Sequence, residues 1–231
     1  MRLSNFLVCA LLFSLFLSGC DEIFSPDISL NQIEVIAPAD SLYTSREDIN
    51  FWWEEDSDVE SFRLRIWEID QLNRLPVLDS SLSNNRNTLQ VNPNRQYWWE
   101  VRGENEGSES LWTEGSLVID TEAPQKAAAL SLNGDSLNQA GPDTLLWRSQ
   151  DLSIPGANRQ FPVSDSVYLS ARDDSSRFVF SAFWEAGEAK LWPIRNPDVP
   201  LSGPGRFYWK VVTFDKAGNR QSSDVFHFDI L

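Results

Sequence analysis

The stretch QYWWEVRG, residues 96–103, sorts cleanly once the two-residue period of a β-strand is applied to it. Tyr97, Trp99 and Val101 fall on one face. Trp98, Glu100 and Arg102 fall on the other, and the charges mark that face as the outer one. Farther along, RFYWKVVTFD at 206–215 repeats the plan, with Phe207, Trp209 and Val211 on the inner face. The inner rings can bury about 150–250 Å² each, so at about 25 cal/mol per Å² each is worth several kcal/mol as an upper bound. They are expected to be core, and Trp98 is left outside.

The same alternation recurs on both sides of QYWWEVRG. In the first half it appears in INFWWE (49–54), FRLRIWEI (62–69), TLQV (88–91) and SLVID (116–120). Ile49, Phe51, Trp53, Phe62, Leu64 and Ile66 take the inward positions. The second half offers TLLWRS (144–149), SVYLSAR (166–172), RFVFSAFWE (177–185) and VFHFDI (225–230), with Leu145 and Trp147 inward. The separators EDSD, SNNRN, NPNR and ENEGSES have turn composition, and no segment holds a helical period for three turns. The chain is predicted to be all-β, with two tandem antiparallel β-sandwiches.

Trp53 matches Trp147 at an offset of 94, whereas Trp99 matches Trp209 at 110. The second copy therefore carries 16 extra residues between these points, expected within DLSIPGANRQFPVSD (151–165). A boundary is expected at DTEAPQ, 120–125, where a proline ends one strand system before the next begins. The organisation read from the sequence is a first domain over 32–120, a linker over 121–126 and a second domain, with the insertion, over 127–231.

The order Val91-x-Pro93-x-x-x-Tyr97-x-Trp99-x-Val101, followed by Asn105, Gly107 and Ser110, resembles fibronectin type III domains, which are immunoglobulin-like sandwiches. The second copy keeps Phe207-x-Trp209-x-Val211 and then FDKAGN (214–219), a turn similar to those of bacterial surface modules of this type. The resemblance implies a tyrosine corner at Tyr97. Phe207 has no hydroxyl, so the second copy cannot build the same corner.

The first twenty residues stand apart. Arg2 precedes the apolar run FLVCALLFSLFLS (6–18), which is too short to span a bilayer comfortably and has the layout of a secretion signal. Leu17-Ser18-Gly19-Cys20 resembles the lipobox of bacterial lipoproteins. The resemblance implies cleavage before Cys20, lipidation of its thiol and membrane anchoring with no transmembrane helix. Cys9 would leave with the signal, so no disulfide is expected in the mature chain. Residues 21–31 show no period and are expected to be a tether. Location is then the bacterial cell envelope, at the outer membrane or cell surface, with Asp21 keeping the inner membrane open.

With 19 Lys and Arg against 34 Asp and Glu, the net charge of −15 argues against nucleic acid as a partner. The single histidine, His227, alternates with Phe226 and Phe228 and belongs on an outer face. With no second histidine, no mature free thiol and no Gly-rich phosphate loop, the usual nucleophilic, zinc and nucleotide arrangements are missing. No enzyme activity, cofactor or metal is expected. The best cluster of hard ligands, Asp56, Asp58 and Glu60 in EEDSDVE (54–60), lacks the glycine of an EF-hand loop and reads as a solvated acidic loop.

The surface is where function is expected. In a fibronectin-like sandwich the FRLRIWEI and QYWWEVRG strands are neighbours, so Trp67 should approach Trp98, with Arg63, Arg65 and Arg102 on the same face and Trp112 at its end. One reading is a stacking platform for a sugar ring or a partner's aromatic. The other is a ladder of alternating Arg and Trp, resembling those of cytokine-receptor domains, in which guanidinium groups already cover the rings. Trp184 and Trp192, in FWEAGEAKLWPIRNPDVPLSGPG (183–205), are candidates for second-domain loop contacts, or for rings capping the core. The expected function is non-catalytic: an anchored binding or scaffold module for envelope proteins, with a carbohydrate-binding role in glycan uptake as the alternative.

Overall fold

The computed structural model describes residues 25–70, 73–138, 143–151, 163–171, 180–185, 190–194 and 203–231. Every regular element among them is a strand. In the first half, β1 (Val35–Ala37), β3 (Asp48–Trp53) and β6 (Arg86–Gln90) form one sheet in that order. Facing it is a five-stranded sheet. Its order is β2 (Leu42–Thr44), β8 (Thr113–Ile119), β7 (Arg95–Glu104), β4 (Ser61–Asp70) and β5 (Asn73–Leu82).

The sequence alternation is what holds these sheets together. β3 reads exposed, buried, exposed, buried along its length, and β7 alternates half-buried with buried, with Tyr97, Trp99, Val101 and Gly103 inward. Phe51 from one sheet meets Trp99 from the other edge-on at 6.0 Å, and Trp53 meets Phe62 at 5.3 Å. Gly115 lies opposite Trp99 in the β7–β8 register. A Cβ there would come within 2.5 Å of the indole, so the ring packs against bare backbone. Tyr97 Oη accepts from Asn92 N at 2.9 Å and donates to Asn92 O at 3.2 Å. That closes the tyrosine corner, and burial pushes the phenol up to about 12.

The second half repeats the order strand for strand. A three-stranded sheet runs β9 (Ala128–Ala129), β11 (Thr144–Arg148), β14 (Leu191–Pro193). The other sheet runs β10 (Asp135–Leu137), β17 (Phe226–Ile230), β15 (Gly205–Phe214), β12 (Ser164–Ser170), β13 (Phe180–Trp184), with β16 (Arg220–Ser222) folded back on β15. The chain is thus two tandem β-sandwiches, each with its own apolar core. Phe207, which replaces the corner tyrosine, stacks on Phe228 at 5.6 Å.

The two cores satisfy their tryptophans differently. In the second sandwich Trp209 Nε1 donates to Leu132 O at 2.8 Å, and Trp147 Nε1 donates to Asp165 Oδ2 at 3.0 Å. In the first, the buried Nε1 atoms of Trp53 and Trp99 find no acceptor among the described residues.

Several expectations are corrected. The 16 extra residues are not in one place: Ile66 pairs with Trp99 as Leu169 pairs with Trp209, an offset of 103 between the offsets of 94 and 110. Nine therefore fall between β11 and β12, and seven fall between β12 and β15. Residues 152–162 and 172–179 themselves lie outside the described residues. The expected tether over 21–31 is also shorter. From Pro26 on it is bound to the first sandwich: Ile28 is fully buried, Ile28 N donates to Ser108 Oγ at 2.9 Å, and Asn105 Nδ2 donates to Pro26 O at 2.8 Å. Ile28 supplies the reason, since taking its apolar side chain out of water is favourable.

Candidate functional site

The outer face of the five-stranded sheet gathers the residues singled out above. The β4–β7 register sets Arg63 opposite Arg102, Arg65 opposite Glu100 and Trp67 opposite Trp98. Like charges directly opposed would be unfavourable, and carboxylates on neighbouring strands relieve them. Arg63 Nε donates to Asp79 Oδ1 at 2.8 Å, and the bond holds the Asp79 carboxyl below its ordinary range. Arg65 bonds Glu100 at 3.2 Å and reaches Asp79 at 3.4 Å. Arg102 pairs with Glu104 at 2.8 Å and with Glu109.

Two rings on this face, Trp98 and Trp112, lie under cations. Arg65 Cζ lies 4.8 Å and Arg102 Cζ 4.6 Å from the centre of Trp112. Trp98 is covered by Arg74 at 5.1 Å, a residue the sequence reading did not name. Arg74 sits on β5, whose NRLPVLDSSL contains a proline and lacks alternation; Pro76 pairs with Trp67 beside a bulge. On the opposite sheet, Arg86 lies 4.7 Å from the Trp52 ring centre. Such exposed contacts are worth about 0.5–1 kcal/mol each. Trp67, Trp98 and Trp112 are all half-buried.

Trp184 and Trp192 are not displayed for a ligand. Trp192 is 8% exposed, pairs through β14 with Leu145 and lies 5.5 Å from Trp184. Trp184 in turn meets Trp147 edge-on at 4.9 Å and packs on the core. Trp184 ends β13 and Trp192 sits in β14, and their rings close the core. Cys20 lies outside the described residues. In the acidic loop, Asp56 Oδ1 accepts from Asp58 N at 2.9 Å, a local turn bond. His227, half-buried, faces Tyr208 at 6.3 Å.

Sequence reasoning missed one cluster. Asp120, Asp151 and Asp215 come from three segments, are buried, and bring carboxylate oxygens within 4.8 Å of one another. Each aspartate follows the end of a strand by one to three residues. That shared placement is a signal a sandwich reading could have used.

No family model matches the chain, and no curated protein matches it. Among solved structures, the FN1–FN3 domains of chicken CNTN1 align over 89% of this chain and 67% of theirs, at 11% identity and a TM-score of 0.46. The fibronectin(III)-like modules of Clostridium thermocellum CbhA align over 86% of this chain and 93% of theirs, at 9% identity and a TM-score of 0.44. A third, titled FN3tt mut, covers 38% of this chain and 89% of its own, at 17% identity and a TM-score of 0.26. Strand order and register define two sandwiches of fibronectin type III-like topology.

Proposed function

We propose that this chain is a non-catalytic, lipid-anchored protein of the bacterial cell envelope. In this reading its first sandwich presents the Arg–Trp face to a protein partner. The observation that carries the reading is that face itself: Trp98 and Trp112 under guanidinium groups, with Asp79, Glu100, Glu104 and Glu109 holding Arg63, Arg65 and Arg102 in place. Rings covered in this way are poor stacking platforms for a sugar, which counts against glycan uptake. Arg and Trp are enriched among residues that dominate protein interfaces. The Leu17-Ser18-Gly19-Cys20 motif supports anchoring through Cys20, at the outer membrane or cell surface.

Two measurements test this. Metabolic labelling with palmitate should mark the wild type and not Cys20→Ser, and the variant should leave the membrane fraction; an unlabelled wild type would defeat the anchoring. Cross-linked capture from membranes with the wild type and with Arg65→Ala/Trp112→Ala should yield a protein lost in the variant. A capture profile the same for both would remove the face as the binding surface.

A further inference from the structure

Asp120 follows β8 at the end of the first sandwich, Asp151 lies in the connection after β11, and Asp215 immediately follows β15. The register explains why they meet. Ser164 pairs with Phe214, so β12 starts where β15 stops, and the β11–β12 connection opens at the same end as the turn after β15. The linker arrives there too. Gln125 N donates to Gln150 O at 3.0 Å, and Asn219 Nδ2 donates to Asp120 O at 2.7 Å.

The three carboxylates are 4%, 3% and 8% exposed. Like charges gathered out of water repel and are poorly solvated. Burial, with the Asp215 charge adding to it, raises the Asp120 carboxyl above its ordinary range. Lys216, the nearest cation in sequence to Asp215, lies over the Tyr43 ring at 4.8 Å. A second observation points to a ligand. Asp215 Oδ1 accepts from Asn219 N at 2.9 Å within a turn that Gly218 permits at φ 88°. Its other oxygen, Oδ2, is buried on a side chain more than nine-tenths buried, and it accepts no hydrogen bond among the described residues. A buried carboxylate oxygen left this way costs folding free energy unless something positive meets it.

We propose that Asp120, Asp151 and Asp215 form a Ca²⁺ site that ties the end of the first sandwich to the loops of the second. The donor set is all oxygen, which selects a hard cation. Oxygens across a Ca²⁺ ion stand about 4.6–5.2 Å apart, whereas those across Mg²⁺ stand about 4.0–4.2 Å apart. The triad's oxygens all lie within 4.8 Å of one another, a spacing that one ion of Ca²⁺ size can bridge. Donors drawn from three separate loop segments also suit the irregular coordination that Ca²⁺ accepts. Such a site goes beyond the binding face proposed above: it lies at the junction and acts on how the two sandwiches are joined.

The test uses the full chain, stripped of metal with a chelator, in calorimetric titrations with CaCl₂ and MgCl₂ and in thermal unfolding with and without Ca²⁺. Binding is expected with a Kd on the order of 10⁻⁴–10⁻³ M, the range of extracellular modules, with Mg²⁺ weaker and with a higher Tm in Ca²⁺. Asp215→Asn keeps an acceptor for Asn219 N and removes one charge. Its Ca²⁺ affinity should fall by about tenfold or more, while its metal-free form should be at least as stable as the metal-free wild type. Asp56→Asn should bind Ca²⁺ as the wild type does. Absence of binding and of any Tm change at millimolar Ca²⁺ in the wild type overturns the site. Undiminished affinity in Asp215→Asn, or lost affinity in Asp56→Asn, overturns its placement.

Discussion

Phe62 and Asp165 occupy the same place in the two sandwiches. Phe62 pairs with Gly103 on β7, and Asp165 pairs with Thr213 on β15, four residues before the matched Ile66 and Leu169. Phe62 meets Trp53 ring to ring, and Asp165 meets Trp147 by accepting its indole hydrogen bond. Asp165 is fully buried and also accepts from Ser149 Oγ at 2.6 Å and Thr213 Oγ1 at 2.7 Å, with Lys190 Nζ at 2.8 Å. One sandwich fills the position with an apolar ring and the other with a charge whose partners replace the lost water.

The two positions should therefore answer differently to the same kind of change. Asp165→Ala strands Lys190 and three donors and should cost about 3–5 kcal/mol. Trp147→Phe removes the indole donor and should cost more than Trp53→Phe, whose Nε1 bonds nothing among the described residues. Urea unfolding followed by tryptophan fluorescence measures both; equal costs for the two Trp→Phe changes would contradict the account.

Tyr97→Phe deletes both bonds to Asn92 and should destabilise the first sandwich by about 1 kcal/mol or more. The wild type also has a pH signature. Because burial pushes the folded phenol up to about 12, against about 10 for a free tyrosine, the unfolded chain loses this proton first. The contribution is complete below pH 10 and is lost as pH rises toward 12. Tyr97→Phe should flatten the stability profile in that window, as chemical denaturation at a series of alkaline pH values will show.

Gly115→Ala places a methyl group 2.5 Å from the Trp99 ring. With the indole wedged between two sheets, the strain should cost about 1–3 kcal/mol and change the near-ultraviolet circular dichroism of the tryptophans. An unchanged spectrum and midpoint would mean that the ring can shift freely.

Replacing Arg65 and Arg102 together by Ala uncovers Trp112. Exposed ion pairs and cation–π contacts are weak, so the stability loss should stay within about 1–2 kcal/mol. Acrylamide quenching of the fluorescence should rise clearly relative to the wild type. A large loss of stability with no change in quenching would assign these arginines to the core.

The strands visible in the sequence are those with an alternating apolar run of four positions or more: β3, β4, β6, β7, β8, β11, β12, β13, β15 and β17. β1, β2, β9, β10, β14 and β16 have two or three residues each, too few for a period to show, and Pro76 masks β5. The paired Arg and Trp of β4 and β7 could be placed on one face because period and strand adjacency suffice. Arg74 could not, since its strand was not visible. The aspartate triad stayed hidden because Asp120 and Asp215 are 95 positions apart in the chain, and only the arrival of the linker at one end of the second sandwich unites them.

Under the proposed anchoring, the docking of Pro26 and Ile28 would set the scale of the molecule's freedom at the membrane. With the lipid on Cys20 as proposed, five residues, 21–25, lie between the anchor and Pro26. Fully extended, such a leash reaches only about 20 Å. The end of the first sandwich carrying Pro26 and Asn105 would then stay within roughly that distance of the lipid surface. A partner would have to approach the Arg–Trp face from the side, within the crowded layer next to the bilayer.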